Sequence, residues 1–385
     1  MRHLGRIGWL GLGAALLAHP AGLHADPAPP AESAAPIALM VDLTSGQVLH
    51  SREVERRFLP ASVTKVMTAF LAFEMLADGR LKPQTEYVVD EQLAKEWSGE
   101  GSSLFLKAGD RVSVDILLHG VTTVSANDGA MLLARGAVGS VDKWVAEMNR
   151  AAARLGMNDS HFGTPNGWPD EGATFTTAHD LAILARAMIT RHPGLYARYF
   201  GHRSFGYHGV GQDNHDPITG IVPGADGIKT GYTREAGYNF LGSAQRGGRR
   251  LVMVIAGIDS EEERAAIARD YIEWGFNGFT QRAIFRAGHP IGTALVQDGA
   301  ADRVALRTAK PVIADVASGT DPKIELALRY RGPIRAPIAK GQQVAELEVR
   351  IEGFAPYRVP LEAAETVPEA NPWQRVANAV LGWFA

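Results

Sequence analysis

Three short residue combinations in this chain carry groups able to take part in acyl chemistry. In Leu59-Pro60-Ala61-Ser62-Val63-Thr64-Lys65-Val66-Met67, a proline and a serine precede a run of helix formers. The stretch therefore predicts a helix start, with Ser62 and Lys65 one turn apart on the same face. A serine hydroxyl is a weak nucleophile until its proton is taken. An amine in a partly desolvated pocket can take it, because burial lowers a lysine pKa toward neutrality. The same pair could equally be a capping serine and a surface lysine, and average usage supplies roughly one Ser-x-x-Lys in a chain this long. Its meaning depends on company. Ser125-Ala126-Asn127 and Lys229-Thr230-Gly231 supply it; the second of these arises by chance roughly once in ten such chains.

The elements that must hold these motifs can be read from periodicity. Ile37–Asp42 and Gln47–His50 are apolar runs joined through Thr44-Ser45-Gly46, a β-hairpin pattern. The Ser62 helix continues through Leu76. Tyr87-Val88-Val89 reads as a strand, and 104–114 has strand and turn character. A helix from Val114 gives way to the polar Ser125-Ala126-Asn127-Asp128-Gly129 loop, and helical periodicity resumes at Ala130. Val141–Leu155 and Ala178–Ile189 are helices. Residues 191–223 read as loop. Ala225–Thr233, Tyr238–Ala244 and Arg250–Ala256 are strands, the last two joined by Gly247-Gly248. Ser260-Glu261-Glu262-Glu263 is a capping box opening a further helix. The first fold unit is thus α+β, an antiparallel sheet flanked by helices. After Phe279 the helical period stops and Lys323–Arg329 and Glu346–Glu352 alternate residue by residue, as in a small all-β domain.

Composition sets the remaining bounds. The 385 residues are 46% hydrophobic and 21% charged, with net charge −3 and no cysteine. There is no basic footprint for nucleic acid, and neither disulfides nor thiolate metal sites are possible. His192, His202, His208 and His215 match no ligand spacing, and no His-Glu-x-x-His occurs, so no metal or cofactor is expected. Residues 1–25 have a basic start, a short apolar run and a small-residue end, which predicts a secretory signal peptide. Losing Arg2 and Arg6 with no acid takes the charge from −3 to −5. Residues 26–35, rich in Pro and Ala, form a linker. At the other end, residues 371–385 predict an amphipathic helix, with Pro372 at its first turn and Trp373, Val376, Val380, Leu381 and Phe384 on one face. At about 20 Å it is too short to span a bilayer and suits either the membrane interface or the protein's own surface.

The three motifs stand in fixed order, on a helix start, a loop and a strand. That set is the signature of penicillin-recognising serine enzymes. With Leu155-Gly156-Met157 and Ala236-Gly237-Tyr238-Asn239, the chain resembles the serine-type D-alanyl-D-alanine carboxypeptidases, the low-molecular-mass penicillin-binding proteins, over about residues 35 to 278. The resemblance implies a penicillin-binding/β-lactamase-like fold. It further implies a D,D-peptidase domain (36–278), a β-rich domain (279–366) and a membrane-anchoring helix (371–385) on the periplasmic side of the cytoplasmic membrane. By the same resemblance Ser62 attacks the D-Ala–D-Ala carbonyl of a peptidoglycan stem peptide, or a β-lactam, with Lys65 as base. Ser125 relays a proton to the leaving amine, and Asn127 binds the substrate amide. Lys229 and Thr230 take the carboxylate, and Lys229 also depresses the Lys65 pKa. Gly231 admits the substrate to the strand edge, and the N–H groups of Ser62 and Tyr232 form the oxyanion hole.

Three departures stand out. Ala126 and Tyr232 replace a common glycine and a histidine. Residues 211–216 lack the arginine expected there, leaving carboxylate recognition incomplete. Three rivals share the motifs: a D,D-endopeptidase, a penicillin-binding shape protein with little turnover, and a β-lactamase. For the last, Glu171 lacks the Glu-x-x-x-Asn setting.

Overall fold

The computed structural model describes residues 29–30 and 35–371; the expected signal peptide, most of the linker and the C-terminal helix lie outside them. A five-stranded antiparallel sheet forms the centre of the first unit. Its strands are β1 (Ile37–Asp42), β2 (Val48–Arg52), and three later ones, 225–233, 237–246 and 249–258. Ile37, Leu39, Val41, Val252 and Val254 face one core, while Ala38, Met40, Leu251, Met253 and Ile255 face another. Burial on both faces explains why these strands read as unbroken apolar runs and not as alternation.

The larger core lies under a helical cluster. A 3-10 turn at Ala61–Thr64 leads into α1 (Lys65–Ala77), whose buried Val66, Phe70 and Phe73 anchor it. Next come β3 (Glu86–Val88), α2 (Glu91–Trp97), β4 (Arg111–Ser113), α3 (Val114–Thr123), α4 (Asn127–Val138), α5 (Val141–Leu155), α6 (Ala178–Arg191) and α7 (Pro193–Tyr199). Caps fix several starts: Ser113, Ser140 and Thr177 each accept a hydrogen bond from a first-turn N–H.

Some expectations need correction. The 191–223 loop contains α7, begun by Pro193, and a hairpin, β5 (Ser204–Tyr207) and β6 (Val210–Asp213). Its turn uses His208 and Gly209, both at positive φ, where the usual Asn-Gly signal is missing. Helix α2 is too short to show a period. Leu104 to Leu106 forms no strand, and α4 begins at Asn127, not Ala130.

The sheet is completed by β7 (Ala225–Thr233), β8 (Gly237–Arg246) and β9 (Arg249–Ile258), in the order β2-β1-β9-β8-β7. One long side of β7 is therefore unpaired. Helix α8 (Glu261–Asn277), capped by Ser260, covers the second face. One residue later the β-domain starts: β10 (Phe279–Phe285), β11 (Pro290–Gln297), β12 (Arg303–Thr308), β13 (Val312–Ala317), β14 (Ile324–Arg329), β15 (Ile334–Arg335), β16 (Gln343–Ile351) and β17 (Tyr357–Ala363). Its strands pair β10-β13 and β14-β16-β17-β12-β11-β15 around a third core.

A buried polar cluster joins the units. Arg249 Nε donates to Asp42 at 2.6 Å and its Nη2 lies 3.1 Å from an Asp315 oxygen. Gln47 bonds the Asp315 backbone through both ends of its amide, at 2.9 and 3.0 Å. Burial, then the neighbouring Asp42 charge, push the Asp315 carboxyl up to about 6. That lies above the unfolded value of about 3.9, so the folded state holds this proton more tightly. Its contribution to stability is full below about pH 4 and is lost as pH rises through about 6. Asp315→Asn should shrink the difference in thermal midpoint between pH 5 and pH 7.5; an unchanged difference would contradict this account.

Candidate active site

Ser62 sits in the 3-10 turn just ahead of α1, and Lys65 is the first residue of α1. The single turn between them brings Lys65 Nζ to 2.8 Å from Ser62 Oγ. The same nitrogen reaches Asn127 Oδ1 at 2.7 Å and the Asn166 carbonyl at 2.8 Å. As an ammonium, Lys65 thus spends all three protons on neutral acceptors. As a free amine it would accept from the Ser62 hydroxyl with the same heavy-atom geometry. Lys65 is 1% exposed. Burial, then the Lys229 charge, hold its pKa well below the usual lysine range, opposed by Asp128.

Ser125 lies between α3 and α4 at φ +64°, and Ala61, next to Ser62, has φ +48°. Left-handed backbone at such residues costs about 1–3 kcal/mol each and persists only where surroundings enforce it. The surroundings here are specific. Ala126 N donates to Gly120 O, and Asn127 N to Ser102 O. The buried Asp128 carboxylate accepts from Ser103 Oγ and from the N–H groups of Leu104 and Leu106. Asn127 Nδ2 gives one proton to Glu100 O, which leaves its second free.

The third side is the open edge of β7. A Cβ on Gly231 would strike the Pro60 carbonyl and crowd Val63, so only glycine lets β7 approach the Ser62 turn this closely. Gly167, at φ +73°, presses the opposite wall against the Ala61 carbonyl in the same way. Lys229 Nζ donates to Thr230 O at 3.0 Å. Burial, then Arg264, push its pKa down to about 7, with Asp216 opposing.

The result is a cleft of about 410 Å³. Ser62, Ser125, Asn127, Thr230, Gly231 and Tyr232 line it, and Lys65 and Lys229 stand buried behind that lining. All eight residues singled out in the sequence therefore meet in one place. Sequence reasoning missed Asn166, His215 and Arg264, which line the cleft as well. Asn166 Nδ2 is buried with no partner, and so is Arg264 Nε. Arg264, from α8, is held by the Glu261 carboxylate and the His215 carbonyl, 2.9 and 3.3 Å away, and lies over the Tyr238 ring. It brings the guanidinium that residues 211–216 lack, from a helix about fifty residues further on. No local signal marks it; within its capping box it reads as an ordinary helical charge. Glu171 lines a neighbouring cavity and not this one. Among the described residues no group of three His, Asp or Glu side chains is placed to hold a metal.

Comparison with known proteins agrees. Residues 24–260 match the model of the peptidase family described as D-alanyl-D-alanine carboxypeptidase, and residues 279–369 match the penicillin-binding protein 5 C-terminal domain. The chain is 33% identical over 360 residues to the D-alanyl-D-alanine carboxypeptidase DacD of Salmonella typhimurium, covering 91% of each chain. It is 29% identical to DacF of Bacillus subtilis over 340 residues, 87% of this chain and 86% of that one. Penicillin-binding protein 5 of Haemophilus influenzae superposes with a TM-score of 0.75 at 27% identity, covering 87% of this chain and 98% of that chain. Penicillin-binding protein D2 of Listeria monocytogenes, solved in an ampicillin-bound form, matches at 28% identity and TM-score 0.57, over 63% of this chain and 97% of that one. The chain belongs to the D-alanyl-D-alanine carboxypeptidase family of serine peptidases.

Proposed function

We propose that this D-alanyl-D-alanine carboxypeptidase removes the terminal D-alanine of a peptidoglycan stem peptide through an ester on Ser62, and that β-lactams acylate the same oxygen. The observation that carries the reading is the buried Lys65 amine 2.8 Å from Ser62 Oγ. Ser62 Oγ attacks the carbonyl between the two D-alanines and passes its proton to the free Lys65 amine. The oxyanion lies between the N–H groups of Ser62 and Tyr232, which the close approach at Gly231 supports. Ser125 hands a proton to the departing D-alanine amine, and the second Asn127 amide proton binds the substrate amide. Lys229, Thr230 and Arg264 receive the carboxylate. Water then hydrolyses the ester.

The rival readings lose support. The relatives are carboxypeptidases over nearly their whole length, and Glu171 lies outside the Ser62 cavity, where a β-lactamase would need it. We further propose that residues 1–25 export the chain to the periplasm and that residues 371–385 hold it on the outer face of the cytoplasmic membrane. No described helix is long and apolar enough to cross a membrane.

The unmutated protein should release D-alanine from a pentapeptide ending in D-Ala-D-Ala and take up labelled penicillin, while Ser62→Ala does neither. Label uptake without any D-alanine release would refute the carboxypeptidase mechanism.

The two lysines set a pH profile. Activity rises as Lys65 loses its proton, and falls as Lys229, with a pKa of about 7, loses the charge that meets the carboxylate. His215, Asp216 and Arg264 face the same group. The kcat/KM profile should be bell-shaped with its alkaline limb near pH 7, and Lys229→Arg should move that limb upward; a limb that stays put would exclude Lys229 as its source.

Deleting 371–385 should release the protein from membranes and leave turnover of soluble peptide intact. Continued sedimentation with membranes would remove the anchor.

A further inference from the structure

A groove of about 560 Å³ is lined by residues of both units and shares none of them with the Ser62 cleft. Leu39 and Val41 of β1 line it together with Val48 and Ser51 of β2. Pro356 and Tyr357, at the start of β17, line it from the β-domain. A stripe of α6 completes it: His179, Ala182, Ile183 and Arg186, spaced as one face of a helix.

The groove is an unfinished edge of the larger core. Leu43, Val48, Val54 and Ile183 pack against that core and are only partly covered. Strand β2 is the outermost of its sheet, so no further strand covers them. The uncharged lining is apolar apart from Gly46 and Ser51. An apolar cleft of roughly 300–1,000 Å³ with a few placed polar groups is the common form of a small-molecule site.

Three charged side chains belong to the lining. Glu55 and His179 are matched to each other, the carboxylate 3.4 Å from Nδ1. Arg186 has no such match. No hydrogen bond or ion pair joins its guanidinium to the described residues, and partial desolvation by its neighbours lowers its pKa with no acid opposing. A guanidinium presents a planar fork of donors that fits a carboxylate or a phosphate. The groove thus combines an apolar trough with one unanswered cation.

We propose that this groove binds an anionic amphiphile, a linear alkyl chain lying against Val48, Ile183 and Pro356 with a single carboxylate or phosphate head on Arg186. The site is separate from the Ser62 chemistry and does not depend on it. A cationic head meets Arg186 as a like charge, and a head without an alkyl chain forgoes the apolar contact.

The test is calorimetric titration of the full chain with decanoate, decyl phosphate, decyltrimethylammonium and acetate, each below its micelle-forming concentration. Decanoate and decyl phosphate should bind, the cation more weakly by on the order of ten-fold, and acetate not measurably. The tighter of the two anions distinguishes a fatty carboxylate from a lipid phosphate as the source. Arg186→Gln should weaken both anions by about five- to ten-fold, as expected for a charge-assisted pair open to solvent on one side, and should narrow the gap to the cation. Ser51→Trp, at an exposed lining position, should fill the trough and abolish binding of every alkyl probe. Penicillin labelling of Ser62 in each variant reports that the fold is intact. Decanoate that fails to bind, that binds no more tightly than the cation, or that binds either variant as it binds the unmutated protein would overturn the groove site and leave the carboxypeptidase reading standing.

Discussion

Two lysine amines are buried in one cleft, and neither has a carboxylate in contact. Lys65 bonds only neutral oxygens, and the one bond found for the Lys229 ammonium is to a backbone carbonyl. Desolvation disfavours each charge, and each is further unsettled by a neighbouring cation, Lys229 for Lys65 and Arg264 for Lys229. The counter-charges, Asp128 and Asp216, act from a distance and are themselves tied to backbone N–H groups. A site short of negative charge is one that an anionic substrate completes. The same shortage lowers the Lys65 pKa and so favours its free amine.

Holding that imbalance takes rigid surroundings. The Ser62 turn is pinned between two glycines, Gly231 on the strand side and Gly167 on the opposite wall, each too close to backbone to carry a side chain. The Ser125 loop is fixed by the buried Asp128 carboxylate and by the start of α4. The sheet behind β7 is covered on both faces, so the open edge beside Ser62 is backed by packed core.

Much of this was legible in the sequence because the chemistry sits in short local patterns. Ser62 and Lys65 are related by one turn of a helix, and Lys229, Thr230 and Gly231 by consecutive strand positions, so spacing alone relates them. The central strands, the Gly247-Gly248 turn and the Ser260 cap were equally plain, and α5 matched its expected limits. What was not legible depended on distance in the chain. Arg264 reaches the cleft from a helix whose own pattern concerns packing against the sheet. Asn166 serves through a backbone carbonyl, which no side-chain pattern reports. The 204–213 hairpin was hidden by a His-Gly turn, and α2 and α7 by having only seven residues each. Competition between local propensity and tertiary packing decided each of these cases.

Helix α8 carries Arg264 into the cleft near its first turn, and one residue past its last turn the β-domain begins. At that far end Arg249 also binds the carbonyls of Phe276 and Phe279, so the helix terminus and the new domain share one guanidinium. The helix is therefore a strut, about 25 Å of rigid rod by its rise per residue, with a cation of the cleft lining at one end and the second domain at the other. A load applied to the β-domain travels through this strut and the Asp42–Arg249–Asp315 cluster. No flexible tether lies between the two units to absorb it.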